Sequence, residues 1–325
     1  MDENLILLRD QILSGKVDVG HYHYFTIHDP KERVICAASF PERVLHHAIM
    51  NICHPYFDRT LIYDTYATRI GKGTYKALDR AREGARKYKY VAKMDVRKYF
   101  DSVNHLVLKQ YLQRLFKDQT LLTIFNTIID SYHTTEGCGI PIGNLTSQYF
   151  ANLYLSNIDH REKEQQHIPL YIRYMDDILI FSNDKQQLKS VAADMQEQMR
   201  LIGLTLKPVQ FLRTEQGVHF LGYRVYPHKM LLSGRSKRRF AHKFRLYEHL
   251  LQDGTMTEYE YLQHILPLLA FTQKAYTKQF RQRLCMEALT ASCGAGVGTT
   301  TRGTVASRIA TTTPLRTVTT TTVCG

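Results

Sequence analysis

The chain has 325 residues, and its 43 Lys and Arg against 30 Asp and Glu give a formal charge of +13, a balance that favours a polyanionic partner. With 44% apolar and 22% charged residues, wholesale disorder and collagen-like or coiled-coil architectures are excluded. Cysteines at 36, 53, 138, 285, 293 and 324 include no CxxC pair, which excludes a disulfide scaffold and a zinc ribbon and points to free thiols in a reducing cytosol. The start, Met-Asp-Glu-Asn before a short apolar run, lacks the basic, long-cored pattern of a secretory leader, and no apolar run is long enough to span a bilayer. A cytoplasmic protein without membrane contact is expected.

In chain order, residues 2–13 have the period of a short amphipathic helix, and 33–38 read as a strand. A helix opened by proline is expected over 41–54. Gly71-Lys72-Gly73-Thr74 punctuates a loop before a helix over 75–89, whose Lys76, Arg80, Arg82, Arg86, Lys87 and Lys89 form a solvated face or a nucleic-acid contact. Residues 90–96 alternate as a strand ending in aspartate. Helices follow over 104–117 and 119–132, then the glycine-rich 137–143, then a helix over 144–161. Two apolar runs, 170–173 and 178–181, flank Tyr174-Met175-Asp176-Asp177 with the spacing of a tight hairpin. A helix over 184–202 and a strand over 218–225 complete a mixed α/β unit. After Pro227, Lys229, Arg235, Lys237, Arg238, Arg239, Lys243 and Arg245 mark a separate basic, helical subdomain running to Met286. From Thr299 to Gly325, 12 of 27 residues are Thr, so no packed core is expected there.

The chemistry concentrates in Asp95, at the end of one strand, and in Asp176 and Asp177 within a hairpin. Carboxylates between apolar strands require compensation. A tight turn relaxes strand alternation, which lets Asp176 aim toward Asp95 on an adjacent strand. Two such carboxylates can bridge a pair of Mg²⁺ ions, a pairing suited to phosphate chemistry. Taken alone, an Asp-Asp turn is more often merely a turn.

The flanks decide between these readings. Lys-Met-Asp-Val-Arg-Lys-Tyr-Phe-Asp-Ser-Val (93–103), Gly-Ile-Pro-Ile-Gly-Asn-Leu-Thr-Ser-Gln (139–148), Tyr-Met-Asp-Asp (174–177) and Phe-Leu-Gly-Tyr (220–223) occur in the order of reverse transcriptase palm motifs. The chain therefore resembles the reverse transcriptases. Lys31, Arg33 and the stretch 40–48 extend the likeness to the fingers motif of bacterial members.

That resemblance implies an α/β right-hand polymerase fold, with fingers over 1–90, an antiparallel palm carrying a fingers insertion over 91–227, a short helical basic thumb over 228–286 and a Thr-rich tail over 287–325. It implies an RNA-directed DNA polymerase using two Mg²⁺ ions, with Mn²⁺ as a substitute. Asp95, the Val96 carbonyl, Asp176 and Asp177 would be the metal ligands. Lys31, Arg33, Phe100, Ile142, Gly143 and Gln148 would face the incoming dNTP, with Phe100 blocking a ribose 2′-hydroxyl. Arg235, Lys237, Arg238, Arg239 and Lys243 would contact template and primer phosphates. A lysine that protonates pyrophosphate is expected near 210, and Lys207 is the lysine of that stretch.

Two departures narrow the resemblance. Most members carry Gln-Gly and a final Ser-Pro where this chain has Ile142-Gly143 and Ser147-Gln148. The aliphatic residue and the final Gln look like the reverse transcriptases of diversity-generating retroelements, which copy a template repeat RNA with errors at adenines and work with a small basic accessory protein. Second, the lysine of the stretch 203–210 stands at 207, short of the position near 210 expected for the pyrophosphate lysine. Independently, AAC asparagine codons, common in such repeats, become ACA threonine codons when tandem runs are read one nucleotide later. The Thr-rich tail then reads as an overlap between gene and template repeat. The rival enzyme is a group II intron or retron reverse transcriptase; the absence of a zinc or endonuclease segment after the thumb weighs against the intron type. The rival of another class is a non-catalytic RNA-binding scaffold, against which the intact aspartates stand.

Overall fold

The computed structural model describes residues 2–28 and 32–293, so Lys31 and the Thr-rich stretch lie outside the described residues. The chain divides between Gln216 and Gly217 into two units. In the first, α1 (Asp2–Ser14) precedes an antiparallel hairpin of β1 (Tyr22–Ile27) and β2 (Arg33–Ala38), with Tyr22 opposite Ala38 and Ile27 opposite Arg33. The sequence does not announce β1, because five of its six residues are exposed and no apolar alternation marks it.

Next, α2 (Phe40–Arg59) runs through Pro55, past the end expected at residue 54. A proline inside a helix removes one backbone bond. Here the extra turn carries Phe57, 2% exposed, into a cluster with Phe116, Phe125, Tyr149 and Phe150. The chain continues through α3 (Thr74–Lys87), β3 (Tyr90–Asp95), a 3₁₀ turn (Phe100–Ser102), α4 (His105–Leu115) and α5 (Gln119–Asp130). Asn104 and Asp118 cap α4 and α5 by accepting from the Val107 and Leu121 N–H groups, as side chains of this type do at helix starts. Then come α6 (Leu145–His160), which widens into a π-helical turn over Arg161–Gln165, β4 (Leu170–Tyr174), β5 (Asp177–Ser182), α7 (Lys185–Leu201) and β6 (Gln210–Arg213).

The sheet order is β4-β5-β3-β6, antiparallel throughout. The sequence reading lacked β6, a four-residue strand of half-buried and exposed residues. β4 and β5 are buried along nearly their whole length, which accounts for their unbroken apolar runs. Helix α3 closes onto them at Gly84, where a Cβ would lie 2.6 Å from Leu170 and 3.1 Å from Phe181. The other core joins α2, α4, α5, α6 and α7 to Ala92, Met94, Ile178 and Ile180 of the sheet.

In the second unit the stretch expected as one strand over 218–225 is instead a hairpin. β7 (Val218–Phe220) turns at Leu221 and Gly222, with φ of 47° and 86°, into β8 (Tyr223–Val225), which pairs with β9 (Met230–Leu232). Two successive left-handed residues are what a two-residue hairpin turn requires. This sheet lies in the same compact unit as the helices that follow, the unit that begins at Gly217. Those helices are α8 (Gly234–Gln252), α9 (Glu258–Gln273), opened by a Thr257–Glu260 capping box, and α10 (Lys278–Cys293). They bury Phe240, Phe244, Tyr261, Ile265, Leu269 and Leu284. Helix α10 continues beyond 286, so the first residues assigned to the tail are helical.

Among the described residues, Cys36, Cys53, Cys138 and Cys285 are free, and no helix is long and apolar enough to cross a membrane.

Candidate active site

The pairing of β3 with β5 sets Asp95 directly opposite Asp177. β4 and β5 are joined by Met175 and Asp176, and Met175 takes the left-handed backbone, φ 53°, of a tight hairpin turn. The Asp176 carbonyl accepts from the Val96 N–H at 3.3 Å, fixing the turn to the end of β3. Three aspartates thus gather at one end of the sheet. Like charges placed across a strand pair repel, and two lysines offset them. Lys207 donates its backbone N–H to the Asp95 carbonyl at 2.9 Å and its ammonium to the Asp95 carboxylate. Lys93, two residues before Asp95 on β3, lies 3.4 Å from Asp177.

Burial holds the Asp176 carboxyl above the usual carboxylate range, and the neighbouring Asp95 adds to the shift. Burial also pushes Asp177 up to about 6, with Lys93 opposing. Acids whose charged forms are disfavoured by burial and by each other suit a hard cation, which relieves both penalties. Among the described residues no three His, Cys, Asp or Glu side chains form a ready metal cluster. Asp95 and Asp176 are the carboxylates that could hold such a cation, with waters and phosphate oxygens completing its shell. Asp177 is turned to Lys93.

The loop that carries Ile142 and Gly143 is tied to two elements. Gly139 and Ile140 donate to the carbonyls of Val103 and Phe100 at 2.8 and 2.9 Å. On the hairpin side, the Ile142 carbonyl accepts from the Cys36 N–H at 2.8 Å, and Asn144 Oδ1 accepts from the Ala38 N–H at 3.1 Å. Gly143 has φ 124°, and a Cβ there would come within 2.9 Å of Ile35 Cγ2. Close approach and backbone angle both call for glycine. The structure therefore unites Phe100, Ile142 and Gly143 with the strand that begins at Arg33. Phe100 is half-buried against the core beside Tyr99, and Arg33 is exposed, its charge reaching Asp176. Gln148 accepts at Oε1 from the Thr68 hydroxyl at 2.8 Å. Thr68 is a β-branched residue at φ 51°, a costly conformation that gathers at functional sites. Nothing in the sequence singles out Thr68, and only the pleat's two-residue period places Lys93 on the strand face of Asp95.

In the second unit, Lys237 and Arg238 line an open cavity of about 580 Å³ between α8 and α10, together with Gln279, Phe280 and Arg283. The sequence reading did not include Arg283. Arg239 lies over the Phe271 ring at 5.7 Å, while Arg235 is exposed and Lys243 half-buried; none of these three lines the cavity.

The family described as reverse transcriptase (RNA-dependent DNA polymerase) matches residues 28–225, more than half of the chain. The chain belongs to this family, whose members polymerise DNA on an RNA template. Protein YkfC of Escherichia coli (strain K12) is 22% identical over 274 residues, covering 68% of this chain and 71% of that protein. Among solved structures, apo telomerase from Candida tropicalis truncated from its C-terminal domain has a TM-score of 0.53 at 13% identity, over 71% of this chain and 60% of that one. Apo telomerase from the same organism has 0.51 at 11%, over 90% and 69%. The same telomerase in complex with a TWJ fragment of telomeric RNA has 0.50 at 14%, over 90% and 61%. The chain thus spans about 60% of the first of these structures. At such identities the likeness is one of fold, and the fold is that of a right-hand polymerase.

Proposed function

We propose that the chain makes error-prone complementary DNA from a template repeat RNA, with relaxed discrimination at template adenines, as the reverse transcriptases of diversity-generating retroelements do. The observation that carries this reading is the seat of Ile142. Its backbone is bonded to β2 and its neighbour Gly143 closes against Ile35, so a half-buried aliphatic side chain occupies a fixed place in the loop that also holds Phe100. Where most members offer a glutamine amide, Ile142 offers only shape. A site that loses a hydrogen bond loses discrimination against wrong partners.

Asp95, Asp176 and the Val96 carbonyl would hold Mg²⁺ or Mn²⁺, which when bound lowers the pKa of a primer 3′-hydroxyl and neutralises triphosphate charge. Asp95 and Asp176 fix where that charge is held. Arg33 offers a guanidinium fork to triphosphate oxygens. Phe100 fills space beside the sugar and excludes a 2′-hydroxyl. Lys207 is bonded to Asp95, and it is the lysine proposed to give a proton to the leaving pyrophosphate. The similarity to a telomerase bound to an RNA fragment supports an RNA partner, as does the charge of +13. A small basic accessory protein, template RNA, primer and dNTPs complete the proposed set of partners, and overlap of the Thr-rich tail with the template repeat remains part of the reading.

The test is Ile142→Gln on one defined RNA template, with products sequenced. Misincorporation opposite adenine should fall more than opposite the other bases. An unchanged adenine error spectrum would count against the reading, and an even fall across all bases would favour a group II intron or retron type of enzyme with no adenine bias.

A further inference from the structure

Arg173 is among the largest fully buried side chains of the described residues, and it stands two residues before Met175 on β4. Its guanidinium forks onto Asp159 of α6, with Nε 2.8 Å from both carboxylate oxygens and Nη2 2.6 Å from Oδ2. Tyr171 donates to the same carboxylate at 2.7 Å. The remaining donors reach the Asn152 carbonyl at 3.1 Å, Asn152 Oδ1 at 3.2 Å and the Met175 carbonyl at 3.3 Å. Both Arg173 and Asp159 are 0% exposed.

Stability does not explain such a pair. Taking two charges out of water costs about as much as their attraction returns, and apolar residues of similar volume commonly serve as well. The arrangement does explain the turn. Its two carbonyls are tied from opposite sides: Met175 O to Arg173, and Asp176 O to the Val96 N–H. The Asp176 side chain projects from between these two anchors. Arg173 also binds the loop that carries Thr68: its N–H donates to the Asp64 carbonyl, its own carbonyl accepts from Tyr66, and Asn152 donates to the Ala67 carbonyl at 2.8 Å. Arg173 therefore joins the two: its guanidinium holds the turn bearing Asp176, while its backbone, and Asn152 to which the guanidinium is bonded, hold the loop that carries Thr68.

We propose that Arg173 is a positioning residue, which with Asp159 and Asn152 sets the Met175–Asp176 turn so that the Asp176 carboxylate meets a divalent cation. The inference rests on the polymerase reading of Asp176. Arg173 touches neither substrate nor metal and acts through the Met175 carbonyl.

Two variants of the full chain test it. Arg173→Lys keeps a charge for Asp159, but an ammonium cannot also fork to Asn152 and Met175. The double variant Arg173→Met/Asp159→Leu removes both charges and fills the space with apolar atoms. Each is followed by thermal melting, by Mn²⁺ binding to the protein alone through the paramagnetic signal of the free ion, and by single-nucleotide addition. Both are expected to melt close to wild type and to bind Mn²⁺ about tenfold more weakly. Both should lose about 10²-fold in kcat, the size of loss that follows a small misplacement of a reacting group, with the KM for dNTP changed far less. If wild type adds no nucleotide, the polymerase reading fails while Mn²⁺ binding still judges Arg173. Wild-type Mn²⁺ affinity in either folded variant would overturn the proposal. Should the double variant not fold, Arg173→Lys with wild-type kcat and Mn²⁺ affinity would overturn it equally.

Discussion

Asp177 lies 3.4 Å from Lys93, on the strand face that also carries Asp95, its partner across the β3–β5 pair. The two adjacent aspartates of the hairpin are therefore not equivalent. Asp176 sits in the turn facing Asp95, whereas Asp177 is answered by a cation of the sheet itself. Asp176→Asn is expected to lower nucleotide addition by about 10³-fold or more, and Asp177→Asn by roughly tenfold, with both proteins folded. Equal losses, measured by primer extension beside melting curves, would mean that Asp177 is as much a ligand as Asp176.

Gly143 tests the joint between the loop and the hairpin. Gly143→Ala places a Cβ 2.9 Å from Ile35 Cγ2 on a backbone of φ 124°. The expected cost is about 1–3 kcal/mol of stability. Displacement of Ile142 from Cys36 should also raise the KM for dNTP. Unchanged urea midpoint and KM would show that the loop moves freely against β2.

Phe100→Ala should open room for a ribose hydroxyl. The ratio of dNTP to rNTP incorporation efficiency on one template is expected to fall by about tenfold or more. An unaltered ratio would leave Phe100 with the packing role that its contact with Tyr99 already gives it.

Glu162 gives a prediction in pH. It is fully buried in the π-helical turn after α6, and burial, with Asp194 beside it, pushes its carboxyl up to about 8 from an ordinary 4.5. Between those values the folded state keeps a proton that the unfolded state has lost. The stabilisation is therefore fully present below the lower value and is lost as pH rises through the upper one. The loss is of order 5 kcal/mol. Urea midpoints should fall across this window in wild type and stay flatter in Glu162→Gln. Parallel curves for the two proteins would contradict the assignment.

The cavity between α8 and α10 predicts a salt signature. Replacing Lys237, Arg238 and Arg283 with Ala should weaken template-primer binding and reduce the slope of log affinity against log salt by roughly 2–3. Replacing Arg235, Arg239 and Lys243, which do not line the cavity, should change the slope less. The reverse ranking would remove the cavity from the nucleic-acid path.

Elements with a buried face were legible in the sequence, because burial writes periodicity. α5, β3 and the β4–β5 hairpin fall within a few residues of where apolar spacing and caps put them. Asp95 and Asp176 were legible for the same reason, as charges interrupting apolar strands. β1 and β6 were not, since their mostly exposed side chains carry no alternation and their pairing depends on partners distant in the chain. The 218–225 stretch misled because one strand and two short strands around Leu221-Gly222 share the same composition. Lys93 against Asp177, Thr68 against Gln148 and the Arg173 network are relationships of register and contact, and single-residue patterns do not encode them.

Copying RNA into DNA by this chain depends, on the reading above, on Asp95 and Asp176. The most direct measurement is extension of a DNA primer on a defined RNA template with dNTPs and Mg²⁺, comparing wild type with Asp176→Asn at matched melting temperature. Template-directed extension by wild type and almost none by the variant are expected. Extension by the folded variant at a rate near wild type would contradict that reading.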